Sequence, residues 1–181
     1  NLDQSIKLYA DIILNPSFPK NELERLRKQR LAQIQQEKNQ PFGIALRVLP
    51  KLLYGENHAY SMPLTGSGTE ESISEITQDS LIEFHKKWFK PNNATMIIVG
   101  DVSMDEIKPK LEKYFKNWAA GDLLQKNIIP VENNKEETIY LIDRPGAQQS
   151  IVLAANIAPS PSNSDELAIE SMNEIIGGSF T

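Results

Sequence analysis

Apolar positions recur along the chain with a period of about 3.6 residues, interrupted by short runs of strand length. Leu2, Ile6, Tyr9 and Ile13 share a helical face and predict a helix over Leu2 to Leu14. Asn15-Pro16-Ser17-Phe18-Pro19 breaks it, and Pro19 suits the first turn of the next helix, where a missing N–H costs nothing. That second helix runs to about Asn39, with only a thin apolar stripe of Leu23, Leu26 and Ile34. Pro41 opens a third, to about Tyr54, with Ala45, Leu46, Leu49, Leu52 and Leu53 apolar. Gly55 to Gly68 reads as loop and Thr69 to Ile76 as a helical turn. Thr77 caps a helix to Phe89 whose inward positions are Leu81, Phe84 and Trp88.

The period then changes. After the turn Pro91-Asn92-Asn93, the short β-branched run Ala94 to Gly100 predicts a strand buried on both faces. Ser103 and Glu106 have capping-box spacing and open a helix with Ile107, Leu111, Tyr114, Phe115 and Trp118 on one face. Residues 119–136 lack strong periodicity and read as a linker, with a short extended piece at Ile128-Ile129. Glu137 to Ile142 and Gln148 to Asn156 predict two strands joined through Arg144-Pro145-Gly146 as a hairpin. Ser164 caps a last helix to Ile176, and Gly177 ends it. The expected fold class is α/β (α+β), strands with helices, with 119–136 as a linker. No internal repeat is visible.

Composition narrows the function classes. The 181 residues carry 19 Lys and Arg against 24 Asp and Glu, a net charge of −5, which argues against a general nucleic-acid or anionic-membrane binder. There are no cysteines, so disulfides, thiolate nucleophiles and Cys-ligated zinc are excluded, while the compartment stays open. No apolar run approaches the roughly 20 residues of a membrane span. Asn1 in place of a Met, and an ending on small and apolar residues, lead us to expect a processed piece or fragment. The helix at 20–38 holds six basic residues (Lys20, Arg25, Arg27, Lys28, Arg30, Lys38) against Glu22, Glu24 and Glu37. It reads as a solvated, ion-paired face or, more sharply, as a surface for an acidic peptide or partner.

The residue chemistry contains no complete active site. His58 and His85 are the only histidines and sit in no metal-binding spacing; His58 reads as a loop anchor and His85 as a helix-boundary residue. No Gly-x-Ser-x-Gly elbow exists. Gly66-Ser67-Gly68-Thr69 comes closest to that or to a phosphate loop, but reads as a turn capping the next helix. Asp101 follows a strand-like run, where its plain role is a turn into the helix at Ser103.

Several segments, in order, resemble the pitrilysin/insulinase-like zinc peptidases, the inverzincins. They are Asn15-Pro16-Ser17-Phe18 with Glu22-Leu23-Glu24-Arg25; Leu53-Tyr54-Gly55 with His58-Ala59-Tyr60 and Pro63-Leu64-Thr65-Gly66; and Ile76-Thr77-Gln78-Asp79-Ser80-Leu81 with Phe84-His85. Lys90-Pro91-Asn92-Asn93-Ala94-Thr95 follows, leading into Val99-Gly100-Asp101-Val102. Asp143-Arg144-Pro145-Gly146-Ala147-Gln148-Gln149-Ser150 and Ile175-Ile176-Gly177-Gly178-Ser179-Phe180 complete the set, which covers nearly the whole chain.

The resemblance implies one of two homologous halves that close around a peptide, each built from two α/β modules with a mixed or antiparallel sheet covered by helices; 1–118 would be the later part of the first module and 137–181 the start of the second, similar one. The family's His-x-x-Glu-His would lie upstream of Asn1. Its third zinc ligand, a Glu, falls on Gln33 when counted from Phe18, and a supporting Glu falls on Leu26. A neutral amide does not supply the carboxylate that helps bind and neutralise zinc. A one-turn insertion would instead bring Glu37 to that face. The resemblance therefore implies a non-catalytic half, with no catalytic residue and no zinc ligand in this chain. It also implies zinc in a catalytic partner half, in the same chain or a separate subunit, and a peptide substrate. In this reading Gly177 and Gly178 lie near substrate, and an Arg and a Tyr that contact it fall beyond Thr181. Relatives suggest the periplasm or cell envelope of a bacterium. The alternatives are a truncated catalytic half and a purely structural module.

Overall fold

The computed structural model describes residues 1–133 and 136–178. Ser179, Phe180 and Thr181, the end of the last family-like segment, lie outside the described residues. The helices are α1 (Leu2–Leu14), α2 (Lys20–Lys38), α3 (Pro41–Tyr54), α4 (Glu70–Glu75), α5 (Gln78–Trp88), α6 (Met104–Phe115) and α7 (Glu166–Asn173). The chain divides into two compact units, one of residues 1–38 and 67–127, the other of 39–66 and 128 onward.

In the first unit α1 packs on α6. The apolar period of α1 buries Ile6 and Ala10, and that of α6 buries Ile107. Lys110 Nζ meets Asp3 Oδ2 at 3.1 Å across the pair. The two prolines after Asn15 stop α1 and leave its last carbonyls without helical donors. His85 of α5 takes up one of them, its Nε2 lying 2.7 Å from Ile13 O. A carbonyl only accepts, so the proton is assigned to Nε2. Phe18, before Pro19, has a left-handed φ of 43°, and its carbonyl accepts from the Gln78 amide at 2.8 Å. Thr69 and Thr77 each complete a capping box, at the starts of α4 and α5. At α6 only the Ser103 half of the box forms, accepting from Glu106 N–H at 3.3 Å.

α2 and α4 form the second pair of this unit. The covered stripe of α2 is Leu23, Arg27, Leu31 and Ile34 rather than the expected Leu23, Leu26 and Ile34; Leu26 is 53% exposed. Arg27 donates to Ile73 O and, at 2.5 Å, to Ile76 O, satisfying carbonyls at the end of α4. At the other end of α4, Gln35 and Lys38 both reach Glu70. The two helices therefore run antiparallel. Phe84, expected inward, is exposed, while Leu81 and Trp88 are half-buried.

The second unit is organised by α3. Pro50 lies inside this helix and is buried. It has no N–H for the Leu46 carbonyl one turn earlier. Leu64 N–H fills that vacancy at 3.0 Å and so docks the returning loop. Gly55 ends the helix at a φ of 77°, its N–H returning to Lys51 O. Further on, Asn133 pairs with both backbone groups of Ile157, at 2.7 and 2.9 Å, and the chain turns between Arg144 and Ala147. The last helix starts after Asp165 rather than Ser164, stops at Asn173 and continues as a wide turn over Glu174–Gly178.

The expected α/β class is overturned. Among the described residues every regular element is helical, and the segments Ala94–Gly100, Glu137–Ile142 and Gln148–Asn156 carry no regular structure, with bends at Gly100 and Gln148. Nor is Ala94–Gly100 buried on both faces as expected: Ile97 and Val99 are 83% and 93% exposed, and Met96 and Ile98 are 40% and 43%. A β-branched, apolar run favours a strand but does not supply the strand's partner. A sheet needs a second segment at about 4.8 Å to take up its N–H and C=O groups. No such pairing forms among the described residues, and the class is helical.

Candidate functional site

The sequence candidates converge on α2. Leu26, Arg30, Gln33 and Glu37 follow at spacings of four, three and four and so form one stripe beside the buried one. Arg30 Nη1 donates to Gln33 Oε1 at 3.0 Å, and Gln33 Nε2 donates to Glu37 Oε1 at 3.0 Å. Glu37 Oε2 accepts from Ser67 Oγ at 2.6 Å. Ser67 is only 1% exposed, delivered by a loop in which Gly68 has a φ of 76°. A Cβ there would meet Ser72 Oγ at 3.2 Å and strain a left-handed backbone. Sequence reasoning missed Ser67 as a partner of Glu37; the two flanking glycines were the signal that its backbone needs unusual freedom.

The histidines are engaged separately. His58 stacks on Tyr54 with ring centres 5.1 Å apart, and Tyr60 stands edge-on to Tyr54. Its Nδ1 accepts from Tyr60 N–H at 3.1 Å and its Nε2 lies 2.8 Å from Ile129 O, so both nitrogens are used. Ser61, buried, donates to His58 O at 2.6 Å and closes the loop. His85 packs against Phe89 with centroids 4.7 Å apart while holding Ile13 O. Gly177 is extended, with a φ of 167°, in the turn after α7, and Gly178 closes that turn. Asp101 is exposed.

These donors do not fit a zinc ion. Among the described residues no three of His, Asp or Glu gather as a ligand set. The stripe offers an apolar Leu26, a cationic Arg30 and a neutral Gln33. Its one carboxylate, Glu37, is held between Gln33 and Ser67. No helix among the described residues is long and apolar enough to cross a membrane.

Comparison with known proteins places the chain. Residues 75–181, more than half of it, match the Peptidase M16 inactive domain, and the chain belongs to that family. It is 23% identical over 178 residues to the "Non-peptidase homolog YmxG" of Helicobacter pylori, covering 98% of this chain and 40% of that protein. It is 28% identical over 116 residues to the "Uncharacterized zinc protease YmxG" of Bacillus subtilis, 64% of this chain and 27% of that one. Against the insulin-degrading enzyme of Drosophila melanogaster, identity is 30% over 122 residues, 62% of this chain and 12% of the relative. The chain thus spans less than half the length of each. The expected pitrilysin/insulinase-like membership holds, and within it the chain falls in the inactive domain.

Proposed function

We propose that this chain is part of the non-catalytic half of a zinc-dependent metalloendopeptidase. It forms a peptide-binding chamber with a catalytic half, in the same polypeptide or a separate subunit, and zinc and hydrolysis belong to that partner. The observation that carries the reading is the α2 stripe, where an apolar side chain and an amide stand at Leu26 and Gln33. Membership of the inactive-domain family supports it. In this reading 1–118 and 137–181 belong to successive modules joined by 119–136, and Gly177 and Gly178 approach the peptide. The location is the periplasm or cell envelope. A purely structural role is the second reading, favoured by the non-peptidase relative that matches almost the whole chain.

The test is peptide hydrolysis by the chain, by a catalytic half and by their mixture, with binding of a labelled peptide followed in parallel. The expected result is no cleavage by the chain alone and stimulated cleavage in the mixture. Hydrolysis by the chain alone, or a tight 1:1 zinc site on it by calorimetry, would overturn the proposal. Absence of both peptide binding and stimulation favours the structural role.

A further inference from the structure

We propose that Arg30, on the exposed flank of α2, binds peptide carboxylates. This rests on the peptide-binding reading above and names the class of peptide it would take. The starting point is the directional chain Arg30 to Gln33 to Glu37, with Ser67 donating from the other side. The Gln33 amide is oriented at both ends, its oxygen toward Arg30 and its nitrogen toward Glu37. Turning it over would place an NH₂ against a guanidinium and an oxygen against a carboxylate. Buried Ser67 fixes the far end. Arg30 is thereby steered by one N–H, while a guanidinium carries five. The side chain is exposed, and its remaining edge matches the two oxygens of a carboxylate.

The neighbours favour this ligand. Leu26, one turn earlier and 53% exposed, offers an apolar contact beside the charge. Three of the five other cations of α2 are committed: Arg25 to Glu22 and Gln29, Arg27 to Glu24 and the α4 carbonyls, Lys38 to Glu70; Lys20 and Lys28 carry point charges rather than a planar fork. Arg30 instead leans on a neutral amide, so its positive charge is not cancelled locally. A Glu at position 33 would cancel it, which gives the amide a role of its own.

The experiment measures binding of fluorescent peptides to the full chain by anisotropy. One peptide carries glutamates and an amidated C-terminus, one is neutral with a free C-terminus, and one is neutral and amidated. The carboxylate-bearing peptides are expected to bind about tenfold tighter than the neutral amidated one, and the stronger of them identifies which carboxylate is read. Arg30→Gln should remove that preference, Arg30→Lys should restore part of it, and Gln33→Glu should weaken it by competing for the guanidinium. Helical circular dichroism checks that each variant folds. Equal affinity for all three peptides, or a preference that survives Arg30→Gln, overturns the inference and leaves peptide binding standing. Binding of none of them overturns both.

Discussion

Replacing Arg27 by Met tests the antiparallel α2/α4 pair most directly. Met keeps much of the aliphatic stem on the covered stripe of α2 but removes the guanidinium. That group is 15% exposed in its side chain and bridges to Ile73 O and Ile76 O. Its contact with Glu24 at 3.2 Å involves a partner 58% exposed, and such surface pairs contribute little. The loss therefore comes from the two carbonyls at the end of α4, where a helix has no N–H of its own to offer. These acceptors are half-buried, and a hydrogen bond from a charged group contributes about 1.5–3 kcal/mol net. Water reaching the vacated carbonyls offsets part of this, so we expect about 2 kcal/mol in all. Local opening of α4 should then become about 30-fold more frequent. Amide hydrogen exchange over Glu70–Ile76 reads this, with α5 as internal reference. Protection of α4 unchanged within about twofold, in a variant whose other helices keep theirs, would refute the assignment.

Three further outcomes follow from the same contacts. Ser67→Ala and Glu37→Gln, singly and together, should give a coupling energy of about 1 kcal/mol or more in urea unfolding, and additive effects would deny the bond at 2.6 Å. Pro50→Ala restores an N–H beneath the Leu46 carbonyl, so the Leu64 amide should lose its acceptor and exchange faster, while unchanged protection would show that the Leu64 bond does not depend on the proline. Gln33→Glu should not create a zinc site in this chain, because the described residues bring no imidazole pair to α2; micromolar 1:1 binding by calorimetry would contradict that.

The helices were legible because their causes are local. Leu2–Leu14 and Pro41–Tyr54 were expected at the boundaries observed, and α2 and α5 within a residue or so. The capping threonines at 69 and 77 mark starts that depend on residues three apart. Phe84 and Leu26 were misplaced because periodicity ranks apolar positions without knowing which neighbour arrives. On α2 a half-buried Arg27 took the place expected of Leu26, since α4 ended in carbonyls that needed a donor. Counting from Phe18 singled out Gln33, but what surrounds it was not legible in the sequence. Ser67 lies 30 residues from Glu37, and nothing local to either announces that they meet.

What the amino-acid order determined alone is the helical punctuation, the absence of thiols and the neutral amide at position 33. Tertiary structure decided that the strand-like runs form no ladder among the described residues, how the histidines spend their nitrogens and what surrounds that amide. The division has one physical source. A helix closes its hydrogen bonds within four residues, so its sequence suffices, whereas a ladder or a side-chain network needs a distant segment to supply the other half.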